Sequence, residues 1–300
     1  MEKRLSGKVA IVTGAGRNIG REEAMALSRE GAKILVNDLG NADETVELIR
    51  AEGGEAYANG ASASSWQGGE DIVQAALDHF GRVDILINNA GIVQPQRIEE
   101  MTEEDFDAVI GVSLKGYTAT IRAAAPHFIK QRSGVIVNTG STSGLGHLYQ
   151  ANYSAAKEGA AGLTRTIARE LGQYGVRCNL IRPASFVTHM TEPLIFKSSE
   201  DSRNLGLAVT GLRYIRSNPT RVTPTGVHVA ALVVLLCLPA TAHVSGQDFF
   251  IMGDEVGRFP EPELFRTQFQ PGGWTLEALE QPHVLDGLLG DLRNRYVQPV

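Results

Sequence analysis

Cysteine is almost absent from this chain: Cys178 and Cys237 are the only two in 300 residues, each inside an apolar stretch. No Cys-x-x-Cys pair and no Cys/His ligand spacing occurs, which argues against a disulfide framework and against a bound metal. Buried free thiols in a reducing cytoplasm are the expectation. Long hydrophobic runs are missing too. The longest, Val229–Leu238, is about half the length a bilayer span needs. The opening MEKRLSGK runs straight into KVAIVTGAG, an apolar stretch too short and too interrupted by glycine for a signal peptide. Basic residues are not in excess either. With a net charge of −6, neither nucleic acid nor an anionic membrane is expected as a partner.

What is present suits one soluble domain. The chain is 43% hydrophobic and 21% charged, enough for a sizeable core, and many of its 33 glycines sit where apolar runs end. Lys8–Val12, Lys33–Asn37, Ala56–Ala58, Val83–Asn88, Gly134–Asn138, Val176–Arg182 and Gln247–Met252 read as strands. Helical patterns separate them at Ala42–Glu52, Trp66–Phe80 and Phe106–Phe128, then from the Tyr153 region to about Tyr174 and at Val227–Leu238. Thr102 and Asp105 form a capping-box pattern before the third of these, which is expected to bend near Gly111–Gly116. Alternating strand and helix implies an α/β fold, a doubly wound parallel sheet of about seven strands with right-handed crossovers. No internal repeat and no break in composition marks a second core. The expected organisation is one domain over residues 1–254 and a C-terminal extension over 255–300.

The first turn, Thr13–Gly20 (TGAGRNIG), follows a strand and opens a helix. Glycines there let the backbone approach a pyrophosphate, and the helix N-terminus offers free N–H groups. Asp38 ends the second strand, where a carboxylate can accept from ribose hydroxyls and repel a 2′-phosphate. NAD is therefore expected over NADP. Arg17 could meet a phosphate and pulls the other way. Asn88-Asn89-Ala90-Gly91 closes the fourth strand at the same sheet edge; Ala90 and Gly91 permit close approach, and Asn89 can bond nearby backbone.

Further on, Tyr153 and Lys157 stand four apart on a helix, so their side chains share one face. A tyrosine with a reference pKa of about 10 is a poor acid or base at neutral pH. A lysine cation beside it favours the phenolate and pulls that pKa toward the working range. An upstream serine hydroxyl could fix a substrate oxygen next to the phenol.

Together these residues resemble the short-chain dehydrogenase/reductase family in its single-domain, Rossmann-type branch. The likeness covers roughly Leu5–Gly253 and rests on the Thr13–Gly20 turn, the Asn88–Gly91 turn and Tyr153-Ser154-Ala155-Ala156-Lys157. It implies that Tyr153 is the acid/base, that Lys157 binds the nicotinamide ribose and lowers the tyrosine pKa, and that a serine orients the substrate oxygen. It further implies cofactor contacts from Gly14, Arg17, Asn18, Ile19 and Gly20, from Asp38 and Leu39, from Ser62 and Ala63, and from Asn89, Ala90 and Gly91. Pro183 and Thr188 match the family's Pro-Gly-x-x-x-Thr, whose backbone and threonine hold the nicotinamide amide, with Ala184 in the place of its glycine. Val-Asn-Asp-Leu-Gly at 36–40 is similar to NAD-dependent hydroxyacyl-CoA and hydroxysteroid members.

The chain also departs from the family pattern. Asn18 replaces the turn's middle glycine, a place where asparagine tolerates left-handed geometry. Ser62 stands for an aspartate that meets the adenine. Ser113 stands for the asparagine that supports a proton-relay water beyond Lys157. The usual serine position falls on Gly140, which leaves Ser141 as the substrate-orienting residue and Ser143 as the alternative.

On the substrate side, His147, Leu148 and Tyr149 lie between the serine and Tyr153. His147 is open as a second acid/base or as a hydrogen-bonded wall residue. Phe186, Met190, Leu194 and Phe196 fall in a long loop at about 184–225, expected as a lid over an apolar or partly apolar substrate; packing of the loop itself would use the same residues. In the tail, Thr275–Leu279 and Val284–Tyr296 look helical, with Leu285, Leu288, Leu289 and Leu292 on one face. That tail is expected to pack on its own or a neighbouring subunit near the active-site mouth, or to be a loose surface arm. The implied function is NAD(H)-dependent interconversion of a secondary alcohol and a ketone by a homo-oligomer, dimer or tetramer. A hydroxyacyl-CoA, a hydroxysteroid and an alicyclic alcohol all suit. The alternative is a barely active dinucleotide-binding protein of the same fold.

Overall fold

The computed structural model describes residues 3–184 and 224–290. Strand β1 (Val9–Thr13) is buried at every position and pairs in parallel with β2 (Lys33–Asn37) on one side and β4 (Ile85–Asn88) on the other. A strand covered on both faces has no polar side to offer, which is why VAIVT shows no alternation. With β3 (Ala56–Asn59), β5 (Gly134–Thr139), β6 (Val176–Pro183), β7 (Asp248–Met252) and β8 (Glu255–Arg258), the order across the sheet is β3-β2-β1-β4-β5-β6-β7-β8. The first seven strands are parallel to their neighbours.

An eighth strand joins the seven expected. β8 (Glu255–Arg258) turns back from β7 and pairs antiparallel, Val256 opposite Ile251. Its sequence, EVGR, has one large apolar residue and lies at the sheet edge, so it lacks the apolar run that marks the inner strands.

Two apolar layers cover the sheet. Ala10, Val12, Ile34 and Val36 point to one face and pack under α1 (Asn18–Arg29), α2 (Ala42–Ala51) and α7 (Gly226–Cys237). Val9, Ile11 and Leu35, the alternate residues, point to the other and pack under α3 (Trp66–Phe80), α5 (Gly116–Gln131) and α6 (Ala151–Gly172). Burying one such Val, Leu or Ile is worth roughly 1.5–3 kcal/mol, so both layers hold the strand ends in place.

The helix expected over Phe106–Phe128 is divided. α4 (Glu103–Ile110) starts on the Thr102–Asp105 capping box, a π-helical turn spans Gly111–Lys115, and α5 follows directly. Tail helices α8 (Leu276–Leu279) and α9 (Pro282–Leu289) occur near the expected places. The apolar face expected on the second is not the one that packs: Val284 is buried, whereas Leu285 and Leu289 face outward. Phe186, Thr188, Met190, Leu194, Phe196 and Leu292, and the expected lid, lie outside the described residues.

Strand order reverses at β1, with β2 following on one side and β4 on the other. In an open parallel sheet that reversal opens a crevice at the carboxyl ends of the strands. Thr13, Asn37, Asn88 and Thr139 all end their strands at this edge.

Candidate active site

A cleft of about 250 Å³ occupies that crevice, lined by Gly14, Arg17, Asn18, Ile19, Gly20, Asp38, Leu39, Ser62, Ala63, Asn89, Ala90 and Gly91. Every nucleotide-side residue taken from the sequence before Pro183 is in this one wall. Asn18 has φ 51°, the left-handed conformation that the turn requires and that asparagine accepts. Gly14, at φ +64°, packs so closely that a Cβ would come within 2.8 Å of Ala90 Cα. The Asn89 side-chain amide donates to the carbonyls of Thr13 and Gly14, both at 3.1 Å, tying the two turns together. Thr13 Oγ1 in turn accepts from the backbone N–H groups of Asn89 and Ala90.

Helix α1 begins here with no side-chain cap and no acidic residue in its first turn. Its leading N–H groups therefore face the cleft as a positive helix end, which fits a pyrophosphate. Asp38 sits at the rim. Its carboxylate accepts from the backbone N–H groups of Gly16, Gly40 and Asn41 at 3.2, 3.0 and 3.1 Å, which fixes its position. Ser62 Oγ meets Ser64 Oγ at 2.9 Å.

The second half of the site lies across Gly91. A Cβ there would be 3.4 Å from both Lys157 Nζ and Ser113 Oγ, so the nucleotide turn and the catalytic helix converge on this glycine. Ser113 belongs to the π-turn, is fully buried, and its hydroxyl has no hydrogen-bond partner. Tyr153 and Lys157 lie on α6 with Lys157 Nζ 5.5 Å from the Tyr153 ring centroid. Ser141 caps the short 3₁₀ turn Thr142–Leu145, its Oγ accepting from Ser143 N–H at 3.1 Å. The Ser141 side chain lies beside the Tyr153 phenol, where it acts to lower the tyrosine pKa. Of the two candidate serines, Ser141 is the one beside the tyrosine; Ser143 uses its carbonyl to accept from Ser154 Oγ at 2.7 Å.

The electrostatics differ from the expectation of a tyrosine pKa pulled down by lysine. Burial pushes the Tyr153 phenol up to about 12, with the neighbouring Ser141 side chain acting in the opposite direction. Burial pushes Lys157 down to about 7. Desolvation disfavours the charged form of each group, and two of the three Lys157 donors are spent away from Tyr153: Nζ donates to Tyr117 Oη at 2.9 Å and to the Thr139 carbonyl at 2.7 Å.

His147, Leu148 and Tyr149 line a separate hollow with Gln96, Arg97, Ile98 and Glu99, beside Ser154. The His147 ring meets the Leu148 carbonyl through Nδ1 at 3.0 Å. Pro183 ends β6 and Ala184 is buried, donating to the Ile251 carbonyl at 3.1 Å.

Comparison with known proteins decides the family. The family model described as short chain dehydrogenase matches residues 8–197. The chain is a short-chain dehydrogenase. It is similar to a 3-oxoacyl-[acyl-carrier-protein] reductase of Synechocystis, 37% identical over 84% of this chain and 98% of that enzyme. A second relative, the peroxisomal hydratase-dehydrogenase-epimerase of Neurospora crassa, is 42% identical over 64% of this chain but only 22% of its own length. The crystal structure of a short chain dehydrogenase from Mycobacterium avium superposes with a TM-score of 0.78 at 35% identity, covering 97% of both chains. This dehydrogenase is accordingly an oxidoreductase acting on CH–OH groups, with a small-molecule substrate and a nicotinamide dinucleotide as its cofactor class. No helix among its described residues is long and apolar enough to cross a membrane.

Three groups in the dehydrogenase's site were not singled out from the sequence. Tyr117 and the Thr139 carbonyl hold Lys157. Arg182 is buried at the end of β6 and donates from Nη1 to the Ser141 carbonyl at 3.0 Å, from Nε to both Asp248 oxygens, and pairs through Nη2 with Glu158 at 2.9 Å. Tyr117 follows Ser113 by one helical turn, so its place on the same helical face was a readable signal. Arg182 carried none, because its partners come from β7, α6 and the serine loop.

Proposed function

We propose that this dehydrogenase interconverts a secondary alcohol and a ketone with NAD(H), Tyr153 moving the proton. The observation that carries the reading is the convergence of the nucleotide cleft and the catalytic helix on Gly91, which lines the cleft and lies against Lys157 Nζ, itself 5.5 Å from the Tyr153 ring. When bound, the nicotinamide supplies or accepts the hydride. Tyr153, protonated at neutral pH, donates to a carbonyl oxygen that Ser141 holds, and takes the proton back from the alcohol in reverse. Lys157 supplies positive charge on the same helix face and a donor for a ribose hydroxyl. The uncapped α1 end and the Gly14–Gly20 turn take the pyrophosphate, and the pinned Asp38 carboxylate favours NAD by facing where a 2′-phosphate would sit.

For the substrate, a 3-hydroxyacyl or 3-oxoacyl thioester is the reading supported by the name of the Synechocystis relative. The Leu148 and Tyr149 hollow beside Ser154 offers a partly apolar wall for it. A homo-oligomer in a reducing cytoplasm completes the reading, in keeping with two buried free thiols.

The test is NAD reduction monitored against a panel of secondary alcohols and 3-hydroxyacyl thioesters, with Tyr153→Phe in parallel. The variant is expected to lose at least about a hundredfold in turnover, within the range of a general acid/base contribution, while its affinity for NAD stays within a few-fold. Full turnover in Tyr153→Phe would refute the assignment. Binding of NAD without turnover on any member of the panel would favour the non-catalytic alternative.

A further inference from the structure

Lys157 is held by a tyrosine, and that tyrosine is not Tyr153. Tyr117, on α5, is 1% exposed and presents its hydroxyl to Lys157 Nζ at 2.9 Å. The Tyr117 O–H donates onward to the Thr139 carbonyl at 3.1 Å, the same oxygen that Lys157 reaches at 2.7 Å. Nζ also lies 4.9 Å from the Tyr117 ring centroid, closer than its 5.5 Å from the Tyr153 ring. The three groups close a triangle at the carboxyl end of β5.

We propose that Tyr117 is a positioning residue of the catalytic centre, whose hydroxyl fixes the Lys157 ammonium against the end of β5 and keeps it charged. The proposal rests on the reading of Tyr153 and Lys157 given above. An ammonium has three N–H donors and no acceptor. Tyr117 and Thr139 take two, leaving one for the cleft side, where Gly91 lies against Nζ. An accepting lone pair and an aromatic face both stabilise the cation over the neutral amine. They oppose the burial that pulls Lys157 down to about 7.

The same geometry stops Tyr117 from acting as a proton carrier. Its own proton points at an amide carbonyl, which does not pass protons on. Burial holds its pKa well above the ordinary value, with Tyr153 on α6 and Glu23 on α1 adding in the same direction. The titratable groups facing this corner are thus Lys157 and Tyr153 from α6 and Glu23 across the sheet. The remaining Lys157 donor is left to the Gly91 side, where the Ser113 hydroxyl also lies without a partner.

The test is Tyr117→Phe, which removes one oxygen and keeps the ring. In ¹⁵N-lysine-labelled protein without cofactor, the Lys157 Nζ titration followed by NMR is expected to move to lower pH by about one unit, a tenfold change in its proton affinity. The dissociation constant for NAD at pH 7 is expected to rise several-fold, and to recover at lower pH where the amine is again charged. A thermal melt identifies a variant that has merely lost packing, since that loss would weaken NAD binding equally at every pH. An unchanged Lys157 titration overturns the proposal. Because this readout needs no substrate, it stands apart from the Tyr153→Phe assay, and either can fail alone.

Discussion

Glu23 carries a carboxyl into the apolar layer beneath α1, fully buried and with neither oxygen hydrogen-bonded. Burial alone pushes its pKa from 4.5 to about 8, so the folded protein keeps it neutral. Folding therefore takes up a proton between these values. Its stability contribution is complete below the unfolded pKa and is lost as pH rises through the folded one. Lys157, lowered to about 7 from 10.5, runs the other way: the unfolded lysine binds the extra proton, so that term rises with pH above 7. The two partly cancel in the parent protein, and only a difference curve separates them. Glu23→Met, which fills the space without a charge, is expected to be more stable than the parent at pH 8.5, by roughly 2–4 kcal/mol. That gain should shrink toward pH 5 in urea unfolding; parallel pH curves would mean that Glu23 has a partner in solution. At the nucleotide rim, Asp38→Ser removes the fixed charge held by Gly16, Gly40 and Asn41. The ratio of NAD to NADP affinity is expected to fall by about tenfold or more, the equivalent of 1.4 kcal/mol. No change in that ratio would shift the weight to Arg17.

Strand β6 and the serine loop are joined by one side chain, and that joint belongs to elements rather than to residues. Arg182 links β6, β7 through Asp248, α6 through Glu158, and the Ser141 carbonyl, while Phe259 beyond β8 lies 5.4 Å over its guanidinium. A buried ion pair contributes little net stability, yet breaking one half of it costs about 3–5 kcal/mol because the other charge is stranded. Arg182→Met should therefore unfold at markedly lower temperature by calorimetry. Arg182→Lys keeps the charge but loses the planar fork; it is expected to lower kcat several-fold on any active alcohol, with NAD affinity unchanged. An equal loss in NAD affinity would show that the whole sheet edge had moved. This joint also marks where sequence reading stops. The inner strands and the αL turn at Asn18 were legible because apolar runs and glycine spacing are local properties. Tyr153 and Lys157 were legible because their spacing lies along one helix, and Ser141 through the resemblance to the family, with Ser143 as the alternative. Arg182, Thr139 and the edge strand β8 were not, since each is defined by partners distant in the chain, and EVGR has no pattern that separates a strand from a loop. Lys157's true partner was half legible: Tyr117 shares a face with Ser113, but nothing in SLKGYT says that its hydroxyl reaches across to α6.

At the scale of the whole molecule, the segment after β8 is where one chain looks incomplete. Leu264, Phe265 and Phe269 are 87–88% exposed within six residues, an unusual density of large apolar side chains in contact with water. The segment is tied to its own helices instead: Arg266 donates to the Gly287 carbonyl at 3.1 Å, and Thr275 caps α8. It behaves as a small self-held arm that presents its apolar side outward, as do Leu285 and Leu289 on α9. Burial against a second copy would recover roughly 25 cal/mol for each Å² removed from water, whereas an isolated chain leaves that area wet. Deleting the arm tests the expectation that the tail packs on a neighbouring subunit. Deleting residues 262–300 retains β8 and the Gln247–Glu261 bond at 2.9 Å, so the sheet edge stays intact. The truncated protein is expected to show a smaller mass by light scattering than the full chain at the same concentration, with NAD affinity unchanged. If the deletion left the mass of the assembly as it was, the arm would be no part of the contact. A KM rising alongside the loss of mass would place the arm near the substrate mouth as well, since the nucleotide turn and Asp38 lie on the far side of the crevice from β8 in the strand order.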